Sequence, residues 1–431
     1  MTNLSTNDAW KKIIEKYDIV NKIKKEGQFR ILSKQIKEFR EPRLMSKWDS
    51  SESLPKVLKK NKINILPDSR SSYILSDFQL YESFPNSTEQ NAKMQKVQVP
   101  DFETIDINHI TTESNAINLL VLTNILDDFL EVNNNVQTFS GRMGTGEFNF
   151  RVNTYSGKQE LFVKNAQCEI DAGFENKESV VILEAKNIVY PDFHIRQLYY
   201  PYRLWKKRIN KPIRLVFSVY SNKIYRLFEY EFESLKDYSS IKLVKEKKYS
   251  LEDTNITRED LLEVYHKTEV KTDDNMNFSN VPFIQADTFE RIISLLEQLH
   301  ENSMTTEEVA DLMQFRERQS DYYFNAGKYL GLFEKVKDYN TGSMVMKLTK
   351  LGEEVFNLNY KDRQLKLVNL ILEHKIFHEL FIKVYKTRKL PPKELIEQKM
   401  RLYNVCNEPQ INRRAGSVLS WLKWIFHLPR I

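Results

Sequence analysis

The chain has 431 residues, 41% hydrophobic and 29% charged, with a formal net charge of +6. That length suits about three domains, and no apolar run approaches the ~20 residues of a membrane span. The polar start MTNLSTNDAWKK lacks signal-peptide form, while Cys168 and Cys406 are too few for a disulfide framework or a structural zinc site, so a cytoplasmic protein is expected. A basic balance is consistent with nucleic-acid binding without requiring it.

The first region, residues 1–95, reads as two helices, Asp8 to Lys25 and Ser33 to Arg40, joined by a turn at Gly27. REPRLMSKWD then breaks periodicity, and INILPDSRSSYIL reads as strands and turns. Arg40, Arg43 and Lys47 are candidate DNA contacts; the competing reading is a helical shoulder packed on the next domain. A polar stretch, Asn86 to Met94, reads as linker.

The central region, 96–266, opens on a helix, ESNAINLLVLTNILDDFL, whose first residue is Glu113. An acid there is explained equally well by the helix macrodipole. SGRMGTGEF, Ser140 to Phe148, has three glycines but lacks the GK[ST] ending of a phosphate cradle. Gly141, Gly144 and Gly146 are expected to form a turn between the helix and the first strand, with Arg142 able to reach DNA.

QCEIDAGFENKESVVILEAK follows, Gln167 to Lys186. The apolar run Val180 to Leu183 is that of a buried strand, and it ends in Glu184-Ala185-Lys186. Side chains alternate along a strand, so Glu184 and Lys186 share a face while Ala185 offers its carbonyl. Asp171 is expected to sit on a neighbouring strand, roughly Glu160 to Ile170, joined by a hairpin-like stretch from Ala172 to Ser179. Carboxylates and a carbonyl are the hard oxygen donors that magnesium takes. A lysine beside them can orient or deprotonate a metal-bound water and stabilise charge on a phosphate. An acid two positions before a lysine is common by chance: Glu246-Lys247-Lys248 is a decoy in what reads as a solvated charge run. The competing reading of the true candidate is a salt bridge at a strand end.

FHIRQLYYPYRLWKKR, Phe193 to Arg208, reads as a helix bent by Pro201, with Gln197, Tyr200 and Arg203 at near-helical spacing. Its aromatics read mainly as core, while Arg196, Arg203, Lys206, Lys207 and Arg208 fit phosphate contacts. A strand, Ile213 to Tyr220, completes the order strand, strand, helix, strand.

EID, VILEAK and RQLYYPYR together resemble the PD-(D/E)XK nuclease superfamily, and within it bacterial type II restriction endonucleases that carry winged-helix modules. The resemblance implies an α/β (α+β) restriction-endonuclease-like core, with a mixed central sheet flanked by helices. A mainly helical N-terminal region and C-terminal winged-helix domains would accompany it. It also implies that Asp171 and Glu184 bind Mg2+, joined by the Ala185 backbone carbonyl and, more weakly, Glu113. Lys186 would assist the attacking water and Gln197 would support the site. The first acid is not preceded by proline, a departure the superfamily tolerates.

Beyond a polar linker, 267–284, helical periodicity dominates. In 285–360, Phe289 to His300 is one helix, Thr305 opens a second through a capping box, and Arg316 to Phe333 makes a third. A hairpin through VKDYNTGSMVMKLT then describes a winged helix-turn-helix. Arg316, Arg318, Gln319 and Tyr322 gather where a recognition helix meets base edges, while Tyr323, Ala326, Leu330 and Leu332 form its buried side. The competing reading is a winged helix that only mediates protein contacts. In 361–431, Pro391 to Leu402 and INRRAGSVLSWLKWIFHL loosely repeat the scheme, with Arg413 and Arg414 as further candidate contacts. His374 and His378 lack the following Glu of a zinc-protease helix and read as ordinary helix residues.

The expectation is a magnesium-dependent type II restriction endonuclease that leaves 5'-phosphates on double-stranded DNA. Its partners would be DNA, a second copy of the chain, joined in solution or only on DNA, and a companion DNA methyltransferase, with no membrane. The alternatives are a non-cleaving winged-helix regulator and a repair or phage-defence nuclease acting on branched or modified DNA.

Overall fold

The computed structural model describes residues 4–85, 95–96, 103–107, 110–271, 282–314, 317–339 and 341–430. The linker at Asn86 to Met94, most of the linker at 267–284 and Arg316 fall outside them. Among the described residues no helix is long and apolar enough to cross a membrane.

The first unit opens with α1 (Thr6–Tyr17) and α2 (Ile19–Glu26), where one helix was expected. Asp18 adopts φ 50°, a left-handed conformation that closes α1 and redirects the chain. After β1 (Phe29–Leu32) comes α3 (Ser33–Lys37), shorter than its expected extent to Arg40, and then α4 (Lys56–Lys60). β2 (Asn64–Pro67) and β3 (Ser72–Ser76) join β1 in an antiparallel sheet of order β1-β3-β2. Trp10, Ile13, Ile31, Ile36, Leu58 and Leu75 fill its core. β4 (Tyr81–Ser83) leads out of this unit.

The central unit is mixed α/β. Its helices α5 (Glu113–Leu122) and α6 (Ile125–Leu130) replace one predicted helix, because Asn124 is left-handed at φ 55°. Its strands are β5 (Gln95–Lys96), β6 (Val136–Gly144), β7 (Glu147–Asn153), β8 (Lys158–Lys164), β9 (Gln167–Glu175), β10 (Val180–Lys186) and β11 (Asp192–His194). After α7 (Arg196–Trp205) come β12 (Ile213–Ser221), β13 (Ile224–Phe232) and β14 (Ile241–Ser250). Seven of these strands make one sheet, ordered β5-β14-β13-β12-β10-β9-β6. β10 and β12 run parallel, as the helical crossover α7 between them requires. The neighbouring pairs β9/β10, β6/β9, β12/β13 and β13/β14 are antiparallel.

The glycine-rich segment differs from expectation. Gly141 and Gly144 lie inside β6, and the turn falls at Thr145 and Gly146, where Gly146 has φ 70°. The stretch thus links two strands rather than a helix and a strand. The decoy Glu246 likewise lies within β14, half-buried, with Lys248 and Arg226 as its charged neighbours.

Both sheet faces are covered. Leu119, Leu120 and Phe129 pack on Val181, Leu183 and Ala185, while Leu198, Tyr199 and Tyr200 of α7 pack on Ile182, Leu215 and Phe217. Every residue of β10 is buried. This is the environment in which the period-2 alternation of β10 decides which side chains meet which helix.

The third unit begins earlier than the sequence suggested. α8 (Arg258–Lys267) packs with the C-terminal helices: Ile256 and Leu261 share their core. α9 (Phe289–Glu301), α10 (Thr306–Leu312) and α11 (Glu317–Tyr329) precede the hairpin of β15 (Phe333–Lys337) and β16 (Met344–Leu348). The Thr305–Glu308 capping box is formed, and Met304 bridges Met346 beside the hairpin. Tyr323, Ala326, Leu330 and Leu332 are buried as predicted. α12 (Lys350–Asn357), α13 (Tyr360–Leu372), α14 (Lys375–Thr387), α15 (Lys393–Leu402) and α16 (Glu408–His427) follow. Among the described residues of 361–430 there are helices and no strand, so the second module is helical as expected, without the hairpin of a winged helix. It is also not separate: Trp421 of α16 packs edge-on against Phe289 of α9. His374 and His378 prove to be packing residues, stacked on Tyr329 and Tyr265.

Candidate active site

Asp171 sits on the strand that neighbours β10, as expected, but that strand is β9, Gln167–Glu175, and the expected extent of Glu160 to Ile170 straddles the end of β8 and the start of β9. The β9/β10 ladder closes with Leu183 opposite Ala172, which brings Asp171 level with the end of β10. There the side chain takes over the pairing, and Asp171 Oδ2 accepts from the Ala185 amide at 2.9 Å. Ala185 faces α5, so the alternation of β10 turns Glu184 and Lys186 toward α7. From the first turn of α7 the Gln197 amide donates to Glu184 Oε1 at 2.5 Å.

Glu113 comes from a different direction. Thr112 caps α5 by accepting from the Asn115 amide, and Glu113 is the first helical residue. Its carboxylate reaches the end of β10. The result is a set of oxygens around one cation: Lys186 Nζ lies 2.7 Å from Glu184 Oε1 and 3.0 Å from the Ala185 carbonyl. Glu113 Oε1 is 3.6 Å and Asp171 Oδ2 4.0 Å from the same nitrogen.

The electrostatics follow from burial. Glu184 is 6% exposed and Lys186 9%. Burial pushes the Glu184 carboxyl well above the usual range, against the pull of Lys186. Glu113 is raised for the same reason. Burial disfavours the Lys186 ammonium, but Glu184, Asp49, Glu113 and Asp171 outweigh it and hold its pKa well above the ordinary value. We therefore read Lys186 as firmly protonated.

Such a cluster is poor structural material. The effective penalty for burying an ion is several kcal/mol each, and apolar replacements of buried pairs are often neutral or stabilising by about 1–4 kcal/mol. A site of this composition at a strand end points to chemistry rather than support.

These residues are of the donor types a divalent cation takes. Every oxygen donor named from the sequence lies within 4.0 Å of one positively charged atom. Hard oxygens at one point suit magnesium. As the side chains stand, no group of three carboxylate, imidazole or thiol residues among the described residues is arranged to hold a metal; the ammonium holds the centre. Gln197 Oε1 is buried without a partner beside it.

Three family models match the chain in succession. Domain of unknown function DUF6996 covers residues 7–75, DUF6997 covers 76–250 and DUF7226 covers 291–430. No curated protein and no solved structure matches. All three matched regions meet at this cluster. Asp171, Glu184 and Lys186 fall in the second. From the first comes the loop Trp48 to Ser51, pinned because the Asp49 carbonyl accepts from His194 N and Asp192 accepts from Ser50 Oγ. From the third, Gln314 Oε1 accepts from the Asp49 amide, and the Leu312 carbonyl accepts from Tyr190 Oη.

Asp49 was invisible in the sequence. No spacing links it to VILEAK, and only the docking of the first unit makes it one of the charges acting on Lys186.

The DNA-contact candidates divide. Arg203 is 5% exposed, its guanidinium donating to the Asn149 and Leu235 carbonyls and stacking on Phe148, so it is a core strut. Arg414 is buried beside Gln285 and Cys406, and cannot face DNA. Arg40 is half-buried and donates to the Leu4 carbonyl, which favours the shoulder reading for that residue. Arg43 is exposed. Lys47 and Arg142 converge on Glu169, at 3.9 and 3.3 Å, two residues before Asp171 in β9. Arg196 lies half-buried over Tyr200, with Nε lacking a partner. Tyr322 of α11 and the exposed Arg413 of α16 meet, the guanidinium 5.1 Å from the ring. Gln319 is half-buried on the same helix, whereas Arg316 and the Arg318 side chain lie outside what is described.

Proposed function

We propose that this chain is a magnesium-dependent nuclease of restriction type, hydrolysing double-stranded DNA at specific sites and leaving 5'-phosphates. The observation that carries the reading is the convergence of Asp171, Glu184, Glu113 and the Ala185 carbonyl on the Lys186 ammonium. A bound Mg2+, held by Asp171, Glu184 and the Ala185 carbonyl with help from Glu113, would supply Lewis-acid polarisation and an acidified water.

The chain's own residues do the rest. Gln197 fixes the rotamer of Glu184 through its 2.5 Å bond. The Ala185 amide fixes the Asp171 carboxylate through Oδ2, the oxygen that lies 4.0 Å from Lys186 Nζ. Lys186, held as an ammonium by its acidic neighbours, donates: it orients the attacking water or a phosphate oxygen and offsets charge as the phosphorus becomes five-coordinate. Lys47 and Arg142, gathered on Glu169 two residues before Asp171, are the basic side chains that would take backbone phosphates. Base reading would come from α11 with Arg413 alongside Tyr322, next to a turn that touches Asp49. A homodimer assembled on DNA would supply the second cut, and a companion methyltransferase would protect the host sequence.

The test is digestion of unmethylated plasmid with magnesium. Discrete fragments support the reading. No cutting of any DNA would favour a non-cleaving regulator, and cutting confined to branched or modified DNA a repair or phage-defence enzyme.

A further inference from the structure

Asp49 reaches the cluster from a unit that carries none of its other acids. Its backbone is held on both sides. The Asp49 carbonyl accepts from the His194 amide of β11 at 2.9 Å, and its own amide donates to Gln314 Oε1 at 3.3 Å. The next two residues are fixed to the same strand, Ser50 Oγ and the Ser51 amide donating to Asp192 at 2.7 and 2.8 Å. What remains is the carboxylate, half-buried and without a hydrogen bond or ion pair among the described residues.

Its place follows from the groups that feel its charge. They are Lys186 and Glu184 of β10, Glu113 of α5, Tyr190 beyond β10 and Tyr81 of β4. Among the carboxylates acting on Lys186 it ranks second only to Glu184, ahead of Glu113 and Asp171. Those two lie 3.6 and 4.0 Å from the same nitrogen. Four carboxyl groups thus share one ammonium, a surplus of hard oxygen and negative charge that suits a divalent cation.

Gln314 is the other half of the arrangement. It follows the end of α10 with φ 55°, a left-handed conformation that usually falls to glycine or asparagine at a helix end. Its side chain is tied at both atoms: Nε2 donates to the Asp311 carbonyl at 3.5 Å, while Oε1 takes the Asp49 amide. The nearby Leu312 carbonyl holds the Tyr190 hydroxyl at 3.0 Å. One helix end therefore braces both the Asp49 loop and the segment that follows Lys186. A strained backbone whose side chain is spent on another unit points to function.

We propose that Asp49 is a further cation-binding carboxylate of this centre, supplied by the first unit and set in place by Gln314 of the third. The cation itself rests on the nuclease reading. Asp49 meets the cation or the water around it, whereas Gln314 touches neither and is a positioning residue. The centre is then complete only when all three units are docked.

Calorimetric titration of the full chain with Mn2+, without DNA, tests it, since Mn2+ takes the same oxygen donors as magnesium. Glu184→Ala marks the site by removing the saturable binding. Asp49→Asn, which keeps the backbone bonds of the loop, should weaken binding about tenfold or more. Gln314→Met keeps the bulk and loses the acceptor, and should weaken binding less. The double variant should match Asp49→Asn alone, because Gln314 acts only through Asp49; a merely structural role would give additive losses. Should Asp49→Asn fail to fold, Gln314→Met carries the test. Affinity unchanged in the variants, or additive losses in the double variant, overturns the proposal. Binding that Glu184→Ala removes and Asp49→Asn leaves intact refutes this inference alone. A wild-type chain that binds no Mn2+ refutes the metal-dependent reading and this inference with it.

Discussion

At the scale of single residues the cluster balances charge against burial. Removing Lys186 alone leaves Glu184, Glu113 and Asp171 without their shared cation. Lys186→Met should therefore lower stability by about 3–5 kcal/mol in EDTA, while Glu184→Leu/Lys186→Met, which removes the buried pair together, should recover most of that loss. Chemical denaturation of the two variants checks it; equal loss in both would mean the pair is not coupled. Gln197 acts through Glu184, so Gln197→Ala should lower the cleavage rate about 10- to 100-fold, with magnesium needed at higher concentration. A change in rate with an unaltered magnesium requirement would count against this positioning role. That Glu184 and Lys186 meet was legible in the sequence because a strand has a fixed two-residue period. The place of Asp49 was not, since it depends on docking between units.

At the scale of elements, local rules predicted type better than extent. The apolar periodicity of 8–25 and 113–130 gave helix correctly, but Asp18 and Asn124 break each helix with one left-handed residue. The glycine-rich stretch misled because Gly141 accommodates φ 90° within a strand rather than at a turn. Arg203 and Arg414 misled because charge alone does not reveal that a guanidinium is spent on buried carbonyls or amides. Packing on β9 offers a test: a Cβ on Gly173 would lie 2.1 Å from the Phe139 ring, itself tilted against Trp205 with ring centroids 4.1 Å apart. Gly173→Ala should destabilise by about 1–3 kcal/mol, read as a lowered midpoint in thermal unfolding.

His374, at the start of α14, supplies a pH signal. Burial, followed by the nearby Lys271, pulls its pKa down from 6.5 to about 3. The folded state binds the proton less well than the unfolded one, so stability is full above pH 6.5 and falls as pH drops toward 3. The slope is about 1.4 kcal/mol per pH unit, or about 2 kcal/mol by pH 5. Denaturation curves of wild type and His374→Gln across that range should diverge accordingly, the variant showing the flatter dependence.

At the scale of the whole molecule, the three units are interlocked around one site. Arg291 spans all three, donating to the Val189 carbonyl and to Glu52. Arg363, 1% exposed, pairs with Glu297, whose carboxylate also accepts from the Asn222 amide at the end of β12. Ile188, Tyr190 and Ile224 of the central unit belong to the C-terminal core. A chain cut after residue 266 would expose that apolar surface, so it should aggregate rather than yield a free, unspecific nuclease. Recovery of a soluble, folded fragment would show that the units are less dependent on each other than their shared core implies. Such interlocking was beyond the sequence, where composition placed boundaries but not the faces that close on each other.

The most direct measurement is the cleavage rate of duplex DNA by wild type and by Asp171→Ala, Glu184→Ala and Lys186→Ala, with DNA affinity measured in parallel. The account predicts magnesium-dependent cutting by wild type, a loss of at least about 10²-fold in each variant, and affinity largely retained. Cutting at the wild-type rate by all three variants would contradict it.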